Sequence, residues 1–137
     1  MKHRLFLAAV FACFIFVGLA CAAQDQATLY IFNSNAPGLG NKVTVVENNK
    51  KIAEVNRDRY VVLQVAPGHH VLRRPVQSKK SKVELDVVRG ETYYVVGGIY
   101  PGMTAKDVAL FAATALTQIS KEDAERLFEQ MKPQDPK

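Results

Sequence analysis

From Ala27 onward apolar residues recur at every second position, and the runs are separated by Gly, Pro, Asn and Asp. That pattern predicts short half-buried strands joined by tight turns. "ATLYIFN" (Ala27 to Asn33) puts Leu29 and Ile31 on one face and Tyr30 and Phe32 on the other, so both faces of this strand are expected to be covered. After a loop from Asn33 to Asn41, "KVTVV" (Lys42 to Val46) is the second strand. Asn48 and Asn49 then fill the two hairpin-turn positions that need positive φ, with Lys51 to Val55 returning and Asn56 to Arg59 turning again. "YVVLQV" (Tyr60 to Val65) and "HHVLRR" (His69 to Arg74) flank Ala66, Pro67 and Gly68. Pro sets φ at the first central position and Gly supplies positive φ at the second, which predicts a type II turn and a hairpin. In "SKVELDVV", Val83, Leu85 and Val87 point one way and Lys82, Glu84 and Asp86 the other, a strand with one buried and one wet face. "TYYVVGGIY" (Thr92 to Tyr100) follows the turn Arg89 to Glu91, is apolar on both faces and predicts a central strand ended by Pro101 to Met103.

The periodicity changes near the end of the chain. Residues 104–115 fit a short helix capped by Thr104 or an extended chain equally well. Beyond them Ser120 is an N-cap with Glu122 and Asp123 in the first turn, where the helix dipole favours acids. Ala124, Leu127, Phe128 and Met131 form one apolar stripe opposed by Glu125, Arg126 and Glu129, and Pro133 is expected to stop the helix. The expected fold is mainly β: an antiparallel β-sandwich of about seven strands with one C-terminal amphipathic α-helix, spanning 24–132 and followed by a tail, 133–137.

The first 23 residues break this pattern. Lys2, His3 and Arg4 precede an uncharged run, Leu5 to Ala20, that ends in small residues, the layout of a cleavable signal peptide. The run is shorter than the roughly 20 apolar residues of a membrane-spanning helix. Two cuts fit "VGLACAAQD". A cut before Cys21 leaves a cysteine that can carry lipid; a cut after Ala22 or Ala23 releases the chain. A lipobox wants a large aliphatic residue three places before the cysteine, where Gly18 stands, whereas Ala20 with Ala22, or Cys21 with Ala23, supply the small residues of a release site. Export to the periplasm or envelope is expected either way, with membrane attachment only through a lipid on Cys21.

With the leader set aside, composition narrows the chemistry. Cys13 and Cys21 both fall within it or at its end, so the domain has no disulfide framework, cysteine nucleophile or thiolate metal site. The formal charge of +5 drops by two with Lys2 and Arg4, leaving a mild basic excess without a nucleic-acid signature. His69 and His70 are adjacent in a predicted strand, so their rings point to opposite faces and cannot share one ion; no metal and no cofactor is expected. Glu84 and Asp86 share a strand face about 7 Å apart, but glycosidase carboxylates face each other across a cleft, so these read as a solvated charge stripe beside Lys82. "GLGNKVT" (Gly38 to Thr44) lacks the Gly-Lys-Ser/Thr step into a helix that a phosphate loop needs, and none of Ser34, Ser78, Ser81 and Ser120 sits in a Gly-x-Ser-x-Gly elbow. The basic run "RRPVQSKKSK" carries Arg73, Arg74, Lys79, Lys80 and Lys82, which can meet anionic headgroups or acidic envelope polymers, or simply keep the domain soluble.

Several of these stretches together, the leader, "YVVLQVAPGHHVL", "VELDVVRGETYYVV" and "LTQISKEDAERLFEQM", resemble the bacterial envelope family catalogued as domain of unknown function 2846, whose members are often lipoproteins. The most specific residues are Pro67, Gly68 and His70, then Gly90, Thr92, Tyr93 and Tyr94, and the resemblance runs from Ala27 to about Met131. It implies a prealbumin-like or carboxypeptidase-regulatory-like β-sandwich, a strand at "ALTQI" leading into the helix, and no assigned reaction. The expected function is a non-catalytic binding or structural module of the cell envelope, holding an envelope protein or an anionic surface through Arg73, Arg74, Lys79, Lys80 and Lys82. The competing expectation is a hydrolase of an envelope polymer, for which Glu84, Asp86 and His70 are the candidates.

Overall fold

The computed structural model describes residues 25–34, 41–75, 82–106 and 116–135. The leader with Cys21, the residues Lys79 and Lys80, and 107–115 of the ambiguous segment lie outside the described residues. Among those described, nine strands and one helix form: β1 (Ala27–Asn33), β2 (Lys42–Glu47), β3 (Lys50–Asn56), β4 (Arg59–Val65), β5 (Gly68–Arg73), β6 (Lys82–Val87), β7 (Thr92–Gly97), β8 (Leu116–Gln118), α1 (Lys121–Gln130) and β9 (Lys132–Pro133). They make a five-stranded sheet, order β8-β7-β1-β4-β9, and a four-stranded sheet, order β3-β2-β5-β6.

The two sheets face each other over an aliphatic core. Leu29, Ile31, Val61 and Val95 from the larger sheet meet Val43, Val45, Val55, Leu72 and Leu85 from the smaller one. Gly97 admits a close approach of the two sheets: a Cβ there would stand 3.1 Å from Val43 Cγ1. The outer face of the larger sheet carries a second, aromatic core. Phe32 and Val96 are fully buried beneath Ala124 and Leu127 of α1, and Phe128 meets Tyr30, Phe32 and Tyr60 edge-on at centroid distances of 5.0–5.1 Å. Both faces of β1 are thus covered, as its Leu-Tyr-Ile-Phe alternation predicts. The molecule has three layers: helix, five-stranded sheet, four-stranded sheet.

Local signals in the sequence are realised closely. Asn48 and Asn49 take φ of 49° and 64° and close the β2–β3 hairpin. β6 alternates exposed and buried along its whole length. Ser120 caps α1, its Oγ accepting from the Asp123 backbone N–H at 3.2 Å.

Four expectations need correction. The sandwich is not wholly antiparallel: β1 runs parallel to β7, and β4 parallel to β9. Alternation reports which face a residue occupies and carries nothing about a neighbour's direction. Among the described residues strands number nine rather than about seven, because β8, at the "ALTQI" stretch, and the two-residue β9 both join the larger sheet. The Pro67–Gly68 turn does not close a hairpin. β4 pairs with β1 and β9, β5 pairs with β2 and β6, and the chain crosses between sheets at this corner. Gly68 sits at φ 133°, away from the roughly 80° of a type II turn, so the turn chemistry bends the chain without bringing β4 and β5 into one ladder. Last, α1 ends at Gln130, with Met131 already extended, and Pro133 belongs to β9.

Candidate functional site

The smaller sheet consists of two hairpins, β2–β3 and β5–β6, joined by a single backbone bridge, Val46 to Arg73. Side chains fasten the seam that this short overlap leaves. His70 Nδ1 lies 2.8 Å from Glu47 Oε1 across it, and Arg73 donates to the Asn49 side-chain oxygen. His70 Nε2 lies 2.7 Å from the Ala66 carbonyl oxygen, so the same ring braces the β4–β5 corner. The ring is therefore engaged on both sides, with neither nitrogen left to take a proton from a substrate.

A further corner between the sheets, β6 to β7, is braced in the same manner. Gly90 supplies φ 77°, and the Tyr93 hydroxyl donates to the Asp86 carbonyl at 3.0 Å while accepting from the Val88 N–H at 2.8 Å. Of the residues singled out in the sequence, His70, Gly90 and Tyr93 thus build corners, and Tyr94 belongs to the aromatic layer under α1.

The predicted carboxylate pair lies elsewhere. Glu84 and Asp86 stand on the exposed face of β6, opposite to the face that His70 shares with Leu72. Asp86 Oδ1 pairs with His69 Nδ1 at 2.8 Å on the adjacent strand, and Glu84 pairs with Lys82. The Lys82 ammonium, with help from His69, holds the Glu84 carboxyl below the usual carboxylate range. The structure does not bring Glu84, Asp86 and His70 together. Among the described residues no three His, Cys, Asp or Glu side chains gather at one point.

Of the basic cluster, Arg73 and Lys82 face each other across the β5–β6 hairpin and each has an intramolecular acceptor, Asn49 and Glu84 respectively. Arg74 is half-buried, and that burial pulls its guanidinium below its ordinary value.

A cleft of about 400 Å³ opens beside the seam. Its apolar lining is Leu63 and Val65 of β4 and Ile52 of β3; Glu47, Lys50, Lys51 and His70 stand at its polar side. It exists because the sheets part here. Val61 is fully buried, while Leu63 and Val65, which point the same way two and four residues on, are only partly covered. Lys51 lies 3.7 Å from Glu54, and among the described residues Lys50 forms no ion pair. Sequence reasoning missed Glu47, Lys50, Lys51, Ile52 and Leu63 as a group. Only the charges around the Asn-Asn turn in "ENNKK" marked the region, and nothing local tied them to β4.

The chain matches no protein-family model, no curated protein and no solved structure.

Proposed function

We propose that the chain is an exported, non-catalytic module of the bacterial cell envelope that holds another envelope component, as the resemblance to domain of unknown function 2846 implies. The observation that carries the reading is the separation of the candidate acid–base groups. Glu84 and Asp86 lie on one face of the four-stranded sheet, His70 on the other, and each has an intramolecular partner. Hydrolysis needs such groups within hydrogen-bond reach of one reacting atom. What the flank offers instead is a partly apolar cleft with lysines at its side, the character of a binding surface. The leader from Lys2 to Ala20 supports export, and a lipid on Cys21 would tether the domain.

In-cell crosslinking followed by mass spectrometry tests this reading. Reproducible crosslinks from the β2–β3 and β5–β6 hairpins to one or a few envelope components are expected. Release of new reducing ends or peptides from cell-wall polymer by the purified protein would refute it.

A further inference from the structure

We infer that the outer edge of β4, at Val62 and Gln64, takes an extended polypeptide segment by strand addition, with alternate side chains of that segment entering the neighbouring cleft. This rests on the binding-module reading and names the class of partner.

The backbone comes first. β4 pairs with β1 over its full length, from Asn33↔Arg59 to Ala27↔Val65, without a bulge. In such a ladder a residue's N–H and C=O point to the same side, and the side alternates along the strand. Within β4 the Tyr60 carbonyl accepts from the Gln134 N–H at 2.8 Å, on the side away from β1, so the even-numbered residues of the strand face outward. Val62 and Gln64 therefore turn their N–H and C=O outward. Among the described residues no strand pairs with them there, since β9 covers only Arg59 and Tyr60.

The contrast with the other strand edge on this flank is informative. Natural sheets protect a free edge with charge, proline, a bulge or a cover. β3 carries Lys50, Lys51 and Glu54, and Gln134 occupies its backbone: Oε1 accepts from Asn56 N–H at 2.8 Å and Nε2 donates to the Glu54 carbonyl at 2.9 Å. β4 from Tyr60 to Val65 reads "YVVLQV", with no charge, no proline and no register break, and Val62 is 37% exposed. An edge left in this state is a template for another chain. The protein itself already extends it by one step, through β9.

The cleft sets which segment fits. Side chains projecting inward from an added strand would meet Leu63, Val65 and Ile52, so apolar residues at every second position suit them. Lys50 and Lys51 stand at the polar side of the same cleft and favour an acidic side chain among those that project into it. The partner is thus an extended segment whose cleft-facing side chains, at every second position, are aliphatic with one acidic residue beside the lysines.

The test uses an acetylated, amidated hexapeptide with valine, valine and glutamate at alternate, cleft-facing positions and threonine between them, titrated into the isotope-labelled protein. Amide shifts and slowed exchange at Val62 and Gln64 are expected, and alternate N-methylation of the peptide should abolish them on the unaltered protein. Gln64→Pro removes an outward N–H while sparing the β1–β4 bonds, and should weaken binding by about tenfold or more with the thermal midpoint retained. The same peptide with lysine in place of the cleft-facing glutamate should bind less well, and Lys50→Glu should reverse that order. Equal binding of the N-methylated peptide, or shifts confined to other residues, would overturn the inference. So would concentration-dependent self-association that protects the same two amides without peptide, because a second copy would then be the occupant. Envelope crosslinks that persist unchanged in Gln64→Pro would leave the binding-module reading standing and overturn only the β4 assignment.

Discussion

His70 shows how one side chain can serve two elements. Its ring reaches Glu47 across the seam, in a partly buried contact, and Ala66 at the exposed corner. Replacing Glu47 by alanine leaves one ring nitrogen facing the cleft and removes a charge-assisted bond. A loss of about 1–2 kcal/mol in urea-unfolding stability is expected. The exposed carboxylates behave differently. Glu54 is held below its ordinary value first by the Lys42 hydrogen bond and charge and then by Lys51, as Glu84 is by Lys82. A carboxyl lowered in the native state favours folding above its unfolded value, and that contribution is lost as pH falls through the lowered native value. Stability should therefore decline with acidification from the ordinary carboxylate range downward. In a carboxylate NMR titration Lys42→Ala should move Glu54 back up, whereas Glu84 should not respond. At this scale much was legible: Asn48 and Asn49 take positive φ because their side chains tolerate it, a property of the residues themselves. The Glu47–His70 pair was not, since 22 intervening positions and two corners separate its members.

Elements divide by whether their cause is local. The α1 cap is local, and Ser120→Ala should cost about 1 kcal/mol, read as a lower thermal midpoint with faster amide exchange in the first helical turn. The apolar stripe Ala124, Leu127, Phe128 and Met131 is equally local, and α1 buries it. The Pro67–Gly68 corner is the contrary case. Proline and glycine dictate that the chain bends, but the ladder a strand joins depends on which neighbours offer free edges. β4 fills one side with β1, and β5 is captured between β2 and β6. The same turn residues serve a hairpin and a corner, so the sequence cannot separate them.

At the scale of the molecule, the last described residues close the structure. β9 extends the five-stranded sheet while Gln134 bonds the β3 edge of the other, so one short segment ties the layers together. Gln134→Ala should cost about 1–2 kcal/mol and raise hydrogen exchange at Asn56, with β6 and β7 unaffected. The open flank beside this tie, with the uncharged β4 edge and its cleft, is where partner binding is argued above. It belongs to no single stretch of sequence: Ile52, Leu63 and His70 come from three strands in two sheets.

By itself the sequence determined what depends on a residue and its near neighbours: the β character from Ala27 onward, the faces of β1 and β6, the Asn-Asn turn and the capped helix. Each follows from side-chain period, φ tolerance or a hydrogen bond within three residues. Only the tertiary structure decided the parallel pairing of β1 with β7, the crossing at Pro67–Gly68 and the separation of Glu84 and Asp86 from His70. Those outcomes depend on competition among strand edges across the whole chain, and it is that competition which leaves the outward groups of Val62 and Gln64 without a strand among the described residues.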